Sequence, residues 1–258
     1  MGVWGKIIGA GAGFVVGGPI GAIVGAVGGH VIDKLRGPSG PGPDGESIGA
    51  RPGFGEAARQ SAFAVTVIVL SAKMAKADGV VTAEEISTFK RLFKVPPEDM
   101  GQVAKIWNRA KDEAGGFEAY AEQAAKLFRH EPAVLEELLN GLYHIAMADG
   151  EFHPSEEAFL RRVNEIFGFD ERVFERIRAT GGRSTSSTDG PDPYDVLGVS
   201  RTDDNDAIKA AYRKLVRENH PDKLMAEGVP AEFIEMANEK LAAINVAYDT
   251  IQRERGIN

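Results

Sequence analysis

The chain has 258 residues, a formal net charge of −8 and an ordinary globular composition, with 43% hydrophobic and 26% charged residues. It contains no cysteine, which excludes disulfides, thiolate metal sites and cysteine catalysis. The acidic balance argues against nucleic-acid binding. No nucleophile–base pairing, phosphate-binding loop or redox motif indicates an enzyme.

The first 34 residues are predicted to form a membrane anchor. Between Lys6 and Asp33 there are 26 positions without a formal charge, and a helix of that length would span about 39 Å, enough to cross a bilayer. Trp4 suits the membrane interface. Glycine recurs at every fourth position, so two copies of the helix could approach closely and form a homodimer. These glycines are Gly9, Gly13, Gly17, Gly21, Gly25 and Gly29.

Two other interpretations of this segment remain open. A cleaved signal peptide would need a shorter apolar core and a clear cleavage site, which the glycines obscure. The second is a flexible glycine-rich leader, because the hydrophobicity is modest and each glycine disfavours a helix in water by roughly 1 kcal/mol. The charges at the two ends of the segment indicate its orientation only weakly.

A helical domain is predicted in the middle of the chain. Residues 35–55 and 179–191 are rich in proline, glycine or serine and are predicted to be flexible linkers. Residues 56–178 show helical periodicity and are numerous enough to bury a core. On the first helix of this domain, apolar residues recur at spacings of four and three. They are Phe63, Val67, Leu70 and Met74.

An Ala-Asp-Gly motif occurs twice in this middle region. Its aspartates are Asp78 and Asp149, and each is followed seven residues later by a glutamate, Glu85 or Glu156. The repeat resembles the TerB fold, a helical fold named for tellurite-resistance proteins. Because some TerB proteins bind divalent metal through such residues, the resemblance implies that these four carboxylates converge on a hard cation.

Helix capping is the alternative interpretation of the same residues. Glu85 follows Thr82 by three residues, and Glu156 follows His153 by three, with Pro154 between them. A glutamate at the third helical position can accept the backbone amide of the capping residue. Both interpretations stay open at this point.

Two amphipathic helices are predicted near the C-terminus, over residues 204–219 and 234–251. Their apolar faces would pack as an antiparallel hairpin with an exposed loop. His220, Pro221 and Asp222 lie in that loop, and Pro221 is predicted to end the first helix because proline crowds the preceding turn. The apolar positions are Ile208, Tyr212 and Leu215, then Ile234, Ala237, Leu241, Ile244, Tyr248 and Ile251.

Residues 192–258 resemble the J domain of the DnaJ co-chaperones. The resemblance includes Tyr194 on a short first helix and the His220-Pro221-Asp222 motif. J domains bind DnaK-type chaperones and accelerate their ATP hydrolysis. The resemblance therefore implies that His220 and Asp222 engage the ATPase and its interdomain linker and that Pro221 fixes the loop. The catalytic chemistry would belong to the partner.

Four basic residues of the first hairpin helix extend this expectation. Lys209, Arg213 and Arg217 are spaced by four, and Lys214 lies beside them. By the resemblance, they would meet an acidic surface on the chaperone and steer the encounter more than they add affinity. The alternative is a solvated helix face without a partner.

Both ends of the chain resemble the DjlA family of membrane-anchored bacterial J proteins. The similar segments are residues 4–9, 29–34 and 220–224, with an insertion at 227–230 before the last helix. The resemblance implies an all-α protein. Its predicted parts are an anchor at 1–34, a linker at 35–55, a TerB-like domain at 56–178, a second linker at 179–191 and a J domain at 192–258.

The implied function is that of a co-chaperone, not an enzyme. It would recruit a DnaK-type chaperone to unidentified clients at the bacterial inner membrane, with the J domain on the cytoplasmic side and no resident cofactor. A different function also remains open. In that case the middle domain is a divalent-metal-responsive sensor in envelope signalling, and the J domain is secondary.

Overall fold

The structure is a computed structural model of the chain. It describes residues 19–20, 54–77, 83–92, 94–112, 116–181 and 191–256. From residue 54 onward, the described ranges contain eleven helices and no strand, which confirms the predicted all-α fold for this part of the chain.

Seven helices form the middle domain and four form the C-terminal domain. The middle domain contains α1 (Phe54–Ala77), α2 (Ala83–Leu92), α3 (Met100–Asp112), α4 (Glu118–Leu127), α5 (Pro132–Ala146), α6 (Pro154–Ile166) and α7 (Glu171–Gly181). The C-terminal domain contains α8 (Pro193–Leu197), α9 (Asn205–Glu218), α10 (Pro221–Ala226) and α11 (Ala231–Arg255).

Helix α1 is the central helix of the middle domain. The four apolar residues predicted to form its buried face are all buried, as expected. The burial extends further, however, because every residue from 62 to 75 is buried. Helices α3, α4, α5 and α6 pack around α1, and a helix enclosed on all sides buries its whole circumference.

The C-terminal domain is built on the predicted antiparallel hairpin of α9 and α11. The rings of Tyr212 and Tyr248 stack with centroids 3.9 Å apart, and the Tyr212 hydroxyl donates to Asn245 Oδ1 at 3.0 Å. Apolar residues from both helices fill the interior with residues of α8. These are Tyr194, Val196, Leu197, Ile208, Leu215, Ile244, Ala247, Tyr248 and Ile251.

The first half of α11 belongs to a different core from the second half. Phe233 packs edge-on against Phe63 of α1, with ring centroids 4.5 Å apart, and both side chains are fully buried. Leu224, Val229 and Met236 join the same hydrophobic cluster of the middle domain. Helix α8 also packs against α7. The two domains are therefore in direct contact, whereas the sequence predicted only a flexible connection.

Two helices of the middle domain extend a few residues into the segments predicted to be linkers. Helix α1 begins at Phe54 and helix α7 continues to Gly181, so each helix extends into a predicted linker. The Thr180 hydroxyl donates to the Arg176 carbonyl at 2.9 Å and supports the last turn of α7. A side chain at Gly181 would come within 3.0 Å of the Tyr143 ring, so here glycine reflects close packing rather than a loop.

A buried charge cluster joins the two domains. Glu136 and Glu137 come from α5, Arg176 from α7 and Lys240 from α11, and all four residues are buried. The Lys240 ammonium lies 2.6 Å from Glu136 Oε1 and 2.9 Å from Glu137 Oε1. Arg176 donates to both carboxylate oxygens of Glu136, at 3.2 and 2.9 Å. We call these four residues the interdomain charge cluster.

Electrostatic pairing keeps Glu136 and Lys240 ionised despite their burial. Burial alone would raise the pKa of Glu136, but Lys240 and Arg176 lower it from 4.5 to about 2. Burial would lower the pKa of Lys240, but Glu136 and Glu137 raise it above its ordinary value. At neutral pH Glu136 and Lys240 are therefore both charged, and each is compensated by the other.

The predicted anchor lies outside the described residues, apart from Pro19 and Ile20. Ile20 is buried, and its amide donates to Gln123 Oε1 at 2.8 Å. Among the helices that the structure describes, none combines the length and the apolar character needed to span a membrane. The six predicted glycine positions are outside the described ranges.

Candidate chaperone-docking site

The His220-Pro221-Asp222 motif forms the start of α10. The prediction that Pro221 ends α9 is wrong, because α9 already ends at Glu218. The Asn219 side chain donates to the Leu215 carbonyl at 2.8 Å and closes the last turn of α9. Pro221 instead occupies the first helical position of α10, where its missing N–H breaks no helical bond.

The local geometry sets the hydrogen-bonding roles of this motif. His220 Nδ1 accepts the backbone amide of Asp222 at 3.2 Å, which caps α10. An accepting Nδ1 carries no proton, so in the neutral imidazole Nε2 carries it and is a donor. The His220 side chain is 53% exposed and the Asp222 side chain 83% exposed. The motif therefore presents a donor and an anionic acceptor to solvent, side by side.

A shallow depression continues from this motif along α9. Arg213 and Arg217 line it together with His220 and Asp222, so the structure brings together four residues that the sequence nominated. Lys209 and Lys214 are outside its lining. The sequence did not nominate three further lining residues, which are Tyr212, Val216 and Lys223.

Tyr212 and Val216 lie at the boundary between the core of the J domain and the depression, where spacing alone assigns a residue to the core. Tyr212 was assigned to the core from its spacing, and it does stack on Tyr248, yet it remains half-buried and also faces the depression. Val216 follows it by four residues, so the two continue along one side of α9. A helical residue at the edge of a core can serve both surfaces, and the i,i+4 repeat was the available signal.

The basic residues of α9 are unpaired within the part of the chain that the structure describes. Arg213, Lys214 and Arg217 are exposed, Lys209 is half-buried, and none of them forms an ion pair there. Unpaired cations on a chain of net charge −8 create a local positive potential that attracts an acidic partner. The surface therefore combines positive charge, an apolar floor and the donor–acceptor motif.

The second glutamate of the Ala-Asp-Gly repeat acts as a helix cap. Glu156 is buried, and its Oε2 accepts the amide of His153 at 3.1 Å, which confirms the capping interpretation at this position. Asp149 is exposed, and its Oδ1 accepts the amide of Glu151 at 2.9 Å. Both carboxylates therefore stabilise local backbone.

The metal prediction for this repeat is not otherwise tested. Asp78 lies outside the described residues, and Glu85 lies in α2 with its side chain outside them. Among the residues described, no group of three or more His, Asp or Glu side chains is arranged to hold a metal ion. Convergence of Asp78, Glu85, Asp149 and Glu156 on a cation stays a prediction, which calorimetric titration with calcium, magnesium and zinc would test.

Family models match three successive parts of the chain. Residues 1–57 match the co-chaperone DjlA transmembrane domain, residues 64–179 match the tellurite resistance protein TerB family, and residues 192–256 match the DnaJ domain. The first match indicates membrane anchoring. The last identifies the C-terminal domain as a J domain.

Three curated relatives named co-chaperone protein DjlA match the chain over almost its whole length. The relative from Vibrio cholerae is 34% identical, with 100% of both chains covered. That from Yersinia pestis is 33% identical, with 99% of both chains covered. That from Photobacterium profundum is 32% identical, covering 98% of this chain and 99% of its own. No solved structure gives a significant match. The chain therefore belongs to the DjlA family of co-chaperones.

Proposed function

We propose that the J domain of this chain stimulates the ATPase of a DnaK-type chaperone and recruits that chaperone to clients at the bacterial inner membrane. The observation that carries this proposal is the surface formed by His220, Asp222 and the unpaired basic residues of α9. The chaperone performs the hydrolysis, and this chain contributes contacts that favour the hydrolysing conformation.

Each part of this surface has a separate task. The cations of α9, which include Arg213 and Arg217, attract an acidic face of the chaperone and orient the encounter. His220 Nε2 then donates and the Asp222 carboxylate accepts at the chaperone surface. Pro221 at the first position of α10 holds these two side chains in a fixed relation.

Contact with the middle domain leaves the docking surface accessible. The J domain meets the middle domain through α8, Leu224, Val229 and the first half of α11. The exposed residues of α9 and the His220-Asp222 pair take no part in that contact. A chaperone can therefore dock without prior separation of the two domains.

The proposal is tested by single-turnover ATP hydrolysis by a purified DnaK-type chaperone with the full chain in lipid nanodiscs. Asp222→Asn and His220→Gln are each expected to abolish stimulation, because the first removes the negative charge of the acceptor and the second replaces the rigid imidazole donor by a flexible amide. Both residues are exposed, so helix content should not change; the thermal midpoint should stay the same in Asp222→Asn and fall only slightly in His220→Gln, which also removes the cap of α10. Asp249→Asn, at an exposed aspartate of α11, is the matched control and should stimulate normally. Full stimulation by both motif variants would contradict the assignment.

We further propose that the anchor spans the inner membrane once and places the J domain in the cytoplasm, where DnaK-type chaperones and ATP are found. Insertion of the anchor requires Ile20 to leave Gln123, because the side-chain acceptor cannot accompany it into the hydrocarbon. Reporter fusions at the C-terminus test the orientation. Activity of a periplasmic reporter would contradict it.

The alternative function as a metal-responsive sensor in envelope signalling has no specific observation in its favour within the described part of the chain. Asp149 and Glu156, the two predicted ligands whose side chains are described, both bind backbone amides. Chaperone stimulation that depended on added metal would nevertheless support it.

A further inference from the structure

A second surface depression lies in the middle domain, between α2 and α3. Its volume is about 360 Å³, within the range of about 300–1,000 Å³ that is typical of ligand sites. One face of α3 contributes residues at successive spacings of three, one, three, one and three. These are Met100, Val103, Ala104, Trp107, Asn108 and Lys111. We call this depression the α2–α3 groove.

The interior of the α2–α3 groove is apolar and partly exposed. Phe89 and Val103 are buried and form its floor. Trp107 stands against Phe89 with ring centroids 5.3 Å apart and is only half-buried. Ile86 is 37% exposed, and Met100 is half-buried. Methionine and tryptophan adapt well to apolar ligands of varied shape.

The polar rim of the groove carries positive charge. Lys90 lies on the α2 side and Lys111 on the α3 side, and neither forms an ion pair within the described part of the chain. The Lys76 ammonium donates to the Lys111 carbonyl at 2.8 Å, which adds a third cation at this end of α3. Two lysines on the rim of an apolar slot, with Lys76 close to one of them, favour an occupant that is apolar in the centre and acidic at its edges.

We propose that the α2–α3 groove binds an acidic amphipathic helix of a client protein. The lining face of α3 extends over 12 residues, from Met100 to Lys111, or about 17 Å, which matches about three turns of a bound helix. Two helices form the walls, and the described residues offer no strand edge that an extended peptide could join. Apolar residues at i, i+3 or i+4, and i+7 would enter the slot, and flanking glutamates or aspartates would meet Lys90 and Lys111. The inference rests on the co-chaperone function proposed above, because the occupant is a client segment.

Trp107 allows this proposal to be tested directly in the full chain. The chain has two tryptophans, and a Trp4→Phe background in lipid nanodiscs leaves Trp107 as the single reporter. The probe is an 18-residue peptide without tryptophan, with leucines on one helical face and glutamates on its flanks. Binding is expected to shift the Trp107 emission to shorter wavelength in a saturable manner. The matched peptide with lysines in place of the glutamates should bind at least about tenfold more weakly.

Variants of the groove separate its apolar and charged contributions. Ile86→Asp introduces a charge into the slot and should weaken peptide binding by about tenfold or more. The double variant Lys90→Glu/Lys111→Glu should weaken binding of the acidic peptide by about tenfold and should restore binding of the lysine peptide. The control Lys105→Glu makes the same substitution once, with half the charge change of the double variant, at an exposed position of α3 outside the groove, and should change affinity by about twofold at most.

Several results would overturn the proposal. These are the absence of any Trp107 response to the acidic peptide, equal binding of the acidic and lysine peptides, or an unchanged affinity in both groove variants. A Trp107 response to anionic lipid alone, equal in size and sensitive to the same variants, would assign the groove to a lipid instead. Should Ile86→Asp fail to fold, the double lysine variant still decides the question.

The two proposals fail independently of each other. Stimulation of the chaperone ATPase without peptide should be the same in wild-type chain and groove variants, since the groove is formed by α2 and α3 and the docking surface by α9 and α10. Loss of all stimulation with intact peptide binding would contradict the proposed function alone. Normal stimulation without peptide binding would contradict this inference alone.

Discussion

Lys240 connects the two domains through buried charge. It is 3% exposed, and its ammonium contacts Glu136 and Glu137, the latter with no exposed surface at all. A buried ammonium is tolerated only when carboxylates compensate it, because its desolvation is unfavourable by several kcal/mol. Arg176 would still neutralise Glu136 without Lys240, but Glu137 would lose its cation. Asn140 Nδ2, at 3.4 Å, would be a weak substitute.

Lys240→Met keeps an unbranched side chain of nearly the same length but removes the charge. The variant should lose about 3–5 kcal/mol of unfolding free energy, because Glu137 is left buried and uncompensated. Chemical denaturation of the full chain in nanodiscs measures the loss. The control is Lys94→Met, since Lys94 lies 2.6 Å from Glu235 of the J domain in a pair that is exposed on both sides. The control should show no measurable change, and a fully stable Lys240→Met variant would contradict the prediction.

Glu136 makes stability depend on pH in the acidic range. Its folded pKa of about 2 lies below the ordinary value of 4.5, so the unfolded chain binds the proton first as the pH falls. The stabilisation is therefore complete above pH about 4.5 and is lost progressively between about 4.5 and 2. Glu136→Gln removes this dependence. Between neutral pH and about pH 3, the denaturation midpoint should fall further for the wild-type chain than for the variant. Parallel curves would show that Glu136 carries no linked proton.

Helix α11 is shared by two hydrophobic cores. Its first half carries Phe233 into the core of the middle domain, and its second half carries Ile244 and Ile251 into the hairpin core of the J domain. A continuous helix of 25 residues transmits displacement along its axis, since its hydrogen-bond ladder is stiff. Movement at the interdomain contact would therefore reach the hairpin that supports the docking surface.

Removal of the Phe233 ring should detach the first half of α11. Phe233→Ala should lose about 3–5 kcal/mol of stability at this contact, because it leaves a cavity against Phe63. Hydrogen exchange should rise in α5 and in the first half of α11, while amides around Ile244 stay protected by their own core. Val246→Ala, on an exposed position of the same helix, should leave the exchange pattern unchanged. A uniform rise over all of α11 would show that the two cores are not separate.

Under the two proposals above, the chain combines an anchor, a client-binding middle domain and a chaperone-docking J domain. The interdomain charge cluster and the Phe63–Phe233 contact hold the last two as one unit, so the docking surface has a defined position relative to the α2–α3 groove. A bound client and a docked chaperone would then be kept close together, which raises their effective concentration for transfer.

Dimerisation through the predicted anchor would bring together two docking surfaces and two α2–α3 grooves. In Gly17→Leu/Gly21→Leu the glycine face is blocked by bulky side chains, and the dimer should weaken by about tenfold in detergent micelles. The double variant Ala22→Leu/Ala26→Leu has the same spacing on a neighbouring face and should dimerise as wild type does. Crosslinking yield or analytical ultracentrifugation measures the dimer. Equal dimerisation of the two variants would exclude a glycine interface.

Local patterns were sufficient for several features of this protein. The spacing of apolar residues predicted α1, α9 and α11, because the helical period depends on neighbouring positions alone. The His220-Pro221-Asp222 motif and the basic residues of α9 were visible for the same reason. The exposed position of the His220-Pro221-Asp222 motif also followed from the sequence, since a motif between two packed helices lies at the end of the hairpin.

Other features depended on distant parts of the chain. The pairing of Lys240 with Glu137 joins residues 103 positions apart, and no local pattern distinguishes a buried lysine from a solvated one. The position of Phe233 in the core of the middle domain also depends on residues distant in sequence. So does the half-buried state of Trp107. Periodicity indicates which side of a helix is apolar, but not which neighbour covers it, because that choice is made by the packing of all the helices together.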